Sequence, residues 1–312
     1  MSLEVRPLRE ADLDRADRIF RLAFGTFLGL PDPLRFGGDA DTVRTRFRSP
    51  CVAALAAELD GELVGSNFAT RWGSFGFFGP LTVRPDLWDR GIARRLLERT
   101  MTIFDEWKTS HRGLFTFSHS PKHQALYQKF GFYPRFLTAL LRGPISRSKA
   151  DAPRRCSMLA DVERPHWLER QRDVAGSLFP GLDLACEIDG VRANGLGDTV
   201  FVEDGERLAG FAVCHVGPGT EAGSGTCYVK FGAVRGGGIA RRDFERLLDA
   251  CEALGAASGA TQLVAGVNLA REGAYRALLG RGLRVEFVGV AMQSDNEPGF
   301  NRPDVLALDD WR

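Results

Sequence analysis

The sequence predicts a mixed α/β fold (an α+β mixed sheet) laid down twice, and three observations carry that reading. The nonapeptide GIARRLLER at 91–99 returns as GIARRDFER at 238–246, with seven identities in nine at an offset of 147. Upstream, ELDGELVGSNFA from Glu58 is matched by VEDGERLAGFAV from Val202, which sets Asp60-Gly61 against Asp204-Gly205. Each half also carries a strand, a short glycine turn and an amphipathic helix, a βαβ signature that calls for helices on the faces of a sheet. An offset near half the chain is too long for a solenoid repeat, so the pattern reads as a duplicated domain.

Within the first half, Leu13, Ala16, Ile19, Phe20 and Ala23 recur at helical spacing and predict a helix over 10–24. Residues 52–58 and 63–71 read as strands around an Asp-Gly turn, the strongest short hairpin signal. A Phe-rich strand runs on to Val83, a turn contains Pro85, and a helix covers 91–104. Strand 113–117, helix 124–129 and strand 135–142 complete the half. In the second half the same logic predicts helix 167–178, a hairpin around Asp204-Gly205, strand 226–231, a helix from Gly238, strand 262–266, helix 271–279 and strand 285–293. The predicted organisation is a first domain over 1–145, a basic linker over 146–157, and a second domain with a tail over 158–312.

Composition narrows the function classes. Lysine plus arginine number 41 and aspartate plus glutamate 40, a net charge of +1, so no strong field draws the chain to nucleic acid or an anionic membrane. Small-molecule or peptide partners are expected instead, with the chain a monomer or homodimer. Six cysteines occur without a CxxC pair, which argues against a zinc knuckle or a disulfide scaffold. Cys214 and His215 are adjacent, so on a strand they face opposite ways, and no metal is expected. The opening residues carry acids where a secretory signal needs an apolar stretch, and no apolar run reaches 18 residues; a reducing cytoplasm is the expected compartment.

The glycine turn carries the chemistry. A helix start offers unpaired amide hydrogens and the positive end of the helix dipole, and therefore attracts phosphate. Gly91 lets the backbone approach an anion, Ala93 avoids crowding it, and Arg94, Arg95 and Arg99 add positive charge; Arg235, Gly238, Ala240, Arg241 and Arg242 repeat the arrangement. The GxxxxGK[ST] phosphate loop is missing, and the GxGxxG dinucleotide pattern fails because Arg241 occupies the sixth position after Gly236 and Gly238.

With LTVRPDLWDRGIARRLL followed by ALYQKFGFYPR, the chain resembles the GNAT superfamily of acetyl-coenzyme A-dependent N-acyltransferases, well over 1–145 and more weakly over 158–293. The resemblance implies acetyl-coenzyme A as donor and a coenzyme site at Leu81, Thr82, Val83, Trp88, Asp89, Arg90, Gly91, Ile92, Ala93 and Arg94, with a second set at Arg235, Gly238, Ala240 and Arg241. Backbone amides around Val83 would polarise the thioester carbonyl. Trp88 stands where the family usually has Gln or Arg, whereas Arg235, Gly238 and Ala240 satisfy the pattern fully.

By the same resemblance Tyr127, four residues before Gly131-Phe132, is the acid that protonates the departing thiolate, a task suited to a phenol with a pKa near 10. His119, just past strand 113–117, is the candidate for taking the amine proton. The second half offers two incompatible registers: Tyr275 with Asn268, or Leu278 counted from Gly282-Leu283. That half is left to bind coenzyme A without reacting, to complete the acceptor cleft, or to serve as structure. The implied activity is transfer of an acetyl group to a primary amine of a small molecule or peptide; the alternative is a non-catalytic duplicated fold that binds coenzyme A as a sensor or structural module. The cluster Phe68, Trp72, Phe75, Phe77 and Phe78 reads as core before it reads as an acceptor pocket, and the tail is expected to pack along the other domain.

Overall fold

Two local features shape the fold from its first residues onward: tight hairpins, and parallel strand pairs that part after four residues. In the computed structural model, which describes residues 2–145 and 152–312, β1 (Leu3–Pro7), β2 (Val52–Leu59) and β3 (Glu62–Trp72) form an antiparallel meander. Asp60 and Gly61, at φ of 49° and 86°, make the two-residue turn between β2 and β3 in the left-handed conformation such hairpins require. Between β1 and β2 lie α1 (Leu13–Phe27) and α2 (Thr42–Arg48); α1 buries the five apolar residues its spacing predicts.

The Phe-rich strand does not run unbroken to Val83. It splits into β4 (Phe75–Phe78) and β5 (Thr82–Val83), with Gly79-Pro80 between them. Beyond β5 come α3 (Ile92–Glu106), β6 (His111–Phe117), α4 (Pro121–Gln128) and β7 (Phe132–Pro144). Helix α4 begins three residues earlier than its apolar spacing suggests, because Ser120 caps it through the amide of His123 and Pro121 takes the first helical position. Of the predicted linker, residues 146–151 lie outside the described residues.

The second half contains β8 (Arg154–Arg155), α5 (Arg164–Leu178), α6 (Ala185–Ala193), β9 (Gly197–Asp204), β10 (Arg207–Gly217), β11 (Gly223–Val234), α7 (Ala240–Ala257), β12 (Gln262–Asn268), α8 (Glu272–Gly280), β13 (Arg284–Ser294) and β14 (Ala307–Leu308). A single offset of 151 relates Leu114 to Ala265, Ser120 to Arg271 and Gly131 to Gly282.

One continuous sheet runs β1-β2-β3-β4-β6-β13-β7-β12-β11-β10-β9-β8. The two halves exchange their last strands: β13 pairs with β6 of the first half, and β7 pairs with β12 of the second. Both repeats are therefore welded through backbone hydrogen bonds. Trp72, Phe75 and Phe77 are buried in a core shared with the second half, where the Trp72 ring lies 5.4 Å from that of Phe231, in keeping with their reading as core.

Candidate active site

In each repeat one parallel pair opens into a gap. In the first, β4 and β6 pair from Phe75↔His111 to Phe78↔Leu114 and then part. Pro80 has no N–H to continue the ladder, and the chain moves over to pair Thr82 and Val83 with Ser66 and Gly65 of β3. Arg84 donates its amide hydrogen to the Val64 carbonyl, so alternation along the strand turns the amide of Val83 to the opposite edge, toward the gap. In the second repeat β11 and β12 pair from Thr226↔Gln262 to Val229↔Ala265, and a bulge at Lys230 turns β11 aside.

The first gap deepens into a cavity of about 460 Å³. Its walls include Phe20 and Phe24 of α1, Arg46 of α2, Gly79-Pro80-Leu81, Phe115 to Phe117 of β6, and His123 and Tyr127 of α4. The second repeat closes it with Glu221, Tyr228, Phe287, Trp311 and Arg312. The second half thus completes the cavity of the first.

Beyond β5, the turn before α3 presents an open glycine. Gly91 sits at φ 77° at the N-cap, and a Cβ added there would meet nothing within 4 Å. Asp89, Arg90, Gly91 and Arg94 are exposed, while Ile92 is buried in the core and offers only its backbone. No side chain caps this helix start, so its first amides are free for a ligand. Trp88, where a family Gln or Arg was looked for, donates from Nε1 to the Val83 carbonyl at 2.8 Å and fastens the turn to β5. Asp89 pairs with Lys122 of α4 at 2.6 Å, and Arg94 and Arg95 pair with Glu98 on the surface. The open turn offers unpaired amides of the kind a diphosphate-bearing thioester carrier needs.

Tyr127 projects from α4 into the cavity wall and is only 6% exposed. Its ring meets Phe78 edge-on, with centroids 5.7 Å apart. Burial pushes the phenol well above its ordinary value, with the Thr116 side chain drawing it slightly back, so the proton is present at neutral pH. His119 is exposed, its ring 5.8 Å from that of Phe27, and is not among the residues lining the cavity. His123, one turn before Tyr127 on the same helix face, does line it; its Nδ1 is buried without a hydrogen-bond partner. Burial, aided by Lys122 and His119, lowers the His123 imidazole below its ordinary value. Sequence reasoning passed over His123 because no motif marks it; the i,i+4 relation to Tyr127 was the available signal.

Around the second turn, Gly236, Gly237 and Gly238 are exposed, but Arg235 is committed elsewhere. It donates to the carbonyls of Leu208 and Asp173, and its amide hydrogen goes to Ala209. Ala240 is buried and Arg241 exposed. The offset of 151 places the fully buried Leu278 where the first repeat has Tyr127, while Tyr275, partly buried, packs against the same cluster of the second repeat. Among the described residues, no cluster of three or more His, Cys, Asp or Glu side chains is arranged to hold a metal ion, and no helix is long and apolar enough to cross a membrane.

A split parallel pair, a glycine turn opening a helix, and a duplication of the whole unit define a tandem protein of the GNAT fold. Residues 19–132, within the first repeat, match the model of the acetyltransferase (GNAT) family. Among solved structures, a putative acetyltransferase from Pyrococcus horikoshii superposes with a TM-score of 0.70 at 14% identity, covering 99% of this chain and 95% of that one. A GCN5-related N-acetyltransferase from Sphaerobacter thermophilus gives 0.56 at 15% identity, covering 95% and 96%. A tandem GNAT protein from the clavulanic acid biosynthesis pathway gives 0.57 at 13% identity, covering 96% and 100%. At these identities the likeness is one of fold. A search of curated proteins by sequence gives no match. Family and fold together support acyl-coenzyme A N-acetyltransferase activity in general terms.

Proposed function

We propose that the first repeat transfers an acetyl group from acetyl-coenzyme A to a primary amine of a small molecule or peptide held in the inter-repeat cavity. The observation that carries this reading is the combination, in one repeat, of the open Gly91 turn, the gap beside Val83 and a cavity lined by a buried, protonated Tyr127. Leu81, Thr82 and Val83 line or border the gap, and the residues from Trp88 through Arg94 form the anion-binding turn. Acetyl-coenzyme A, when bound, supplies an activated acyl carbon. The Val83 amide is placed to draw charge from the acyl oxygen. As the amine nitrogen bonds to the acyl carbon and the carbon–sulfur bond breaks, Tyr127 gives its proton to the departing sulfur.

The amine's own proton goes to the imidazole pair His119 and His123, with the stronger case for His123 because its ring lines the cavity. The aromatic side chains of the wall, Phe20, Phe24, Phe115 and Phe117 among them, favour an amine carried on an apolar or aromatic body.

Thiol release from acetyl-coenzyme A over a panel of primary amines tests the reading, with direct coenzyme binding measured alongside. Saturable binding with amine-dependent release supports it. Absence of binding at millimolar coenzyme overturns it. Binding without release for any amine would favour the non-catalytic reading, which finds support in Trp88 standing at the anion turn.

A further inference from the structure

The second repeat has the same parted strands as the first, but here the chain itself lies in the gap. Strand β14 pairs antiparallel with β11, Gly232 opposite Leu308 and Ala233 opposite Ala307. The offset that relates the repeats makes Val234 the counterpart of Val83. The Val234 amide, equivalent to the one turned toward the gap in the first repeat, donates to the Leu306 carbonyl at 3.2 Å.

The seat for this strand is built. Arg271, with no solvent exposure, stands at the start of α8 and donates to the Ala307 carbonyl at 2.7 Å and to Asn301 Oδ1 at 2.8 Å. It also pairs with Asp309 at 3.0 Å. Gly266 of β12 is the counterpart of Phe115, and a Cβ there would fall 2.3 Å from Cβ of Asp310. The side chain missing at Gly266 is therefore the room Asp310 occupies. Past this seat the segment continues to Trp311, whose ring fills the space over Gly113, and to Arg312, whose guanidinium stacks 4.2 Å from the Tyr228 ring.

We propose that the cleft of the second repeat is a strand-binding groove whose ligand is this chain's own segment 306–310, so that coenzyme enters the first repeat alone while the same segment brings Trp311 and Arg312 to the first repeat's cavity. The inference rests on the coenzyme assignment made above for the first cleft. Backbone pairing supplies the affinity of such an added strand, and the pocket for Asp309 and Asp310 supplies its register.

Two measurements on the intact chain test it. Calorimetric titration with coenzyme A is expected to give one equivalent per chain. Arg94→Glu, at an exposed position, is expected to weaken binding tenfold or more, and Arg241→Glu to leave it within twofold. Two equivalents, or loss of binding with Arg241→Glu instead, would overturn the proposal. Amide hydrogen exchange at Val234 and Leu308 reads the seated strand without coenzyme and is expected to be as slow as in the sheet core; exchange at the rate of unstructured peptide would overturn it. Slow exchange with no coenzyme binding at all would support the filled groove and sink the functional reading, which keeps the two failures apart.

Discussion

Arg46 and Glu221, one from each repeat, form an ion pair of 3.0 Å in the cavity wall with both side chains almost wholly buried. The arginine also donates to the Gly79 carbonyl at the break between β4 and β5. Lys230 joins at 2.5 Å from Glu221 and 3.6 Å from Glu187, and Glu187 in turn accepts from the Trp72 indole. This chain of charges ties the edge of the first gap to the second repeat's bulge. A buried pair contributes little net stability relative to apolar packing, but loss of one partner strands the other.

Glu221→Gln is therefore expected to destabilise the fold by about 3 kcal/mol, because Arg46 and Lys230 keep their charges with too few acceptors. Burial would push the Glu221 carboxyl up, but Arg46 and Lys230 outweigh it and hold the group well below the usual carboxylate range. Its folded value is depressed, so the stabilisation is present above the unfolded value near about 4.3 and is lost as pH falls below it. Urea unfolding at pH 7 and pH 3.5 checks both statements: the variant's deficit should shrink at the lower pH.

Tyr127→Phe keeps the ring against Phe78 and removes only the proton. Turnover is expected to fall by about 10² or more, with coenzyme affinity within a few-fold of the parent. Equal turnover in the two proteins would remove Tyr127 from the chemistry.

The two imidazoles separate by substitution. His123 is held neutral near pH 7 by burial, so activity that needs it should decline only below its ordinary value of about 6.5. His123→Ala is expected to lower kcat at least tenfold and to abolish that acid limb, while His119→Ala retains the limb. If His119→Ala proves the more damaging, the proton path runs through the exposed ring.

Gly266→Ala is expected to cost about 1–3 kcal/mol, since the new methyl group would collide with Asp310 and push β14 from its seat. Guanidinium unfolding measures the loss. The neighbouring change Ala265→Gly, which adds no atoms, provides the comparison for mere weakening of β12.

Much of the architecture was legible in the sequence because it rests on local signals. The Asp-Gly hairpin, the apolar stripe of α1, the glycine turn before α3 and the duplicated nonapeptide depend on residues close in the chain. The break at Gly79-Pro80 was hidden inside a Phe-rich run that reads as one strand. Helix α6 and strand β14 were missed because a short apolar segment has no period of its own; what decides it is a groove elsewhere.

By itself the sequence determined that a strand–glycine turn–helix unit exists twice, that the first copy carries Tyr127, and that acidic and basic residues balance to a net charge of +1. The tertiary structure alone decided how the copies differ. Exchange of β7 and β13, the filling of one gap by residues 306–310 and the opening of the other into a cavity all depend on pairing between strands far apart in sequence. Backbone donors and acceptors are the same at every residue, so which strand satisfies which edge is settled only when the whole sheet assembles.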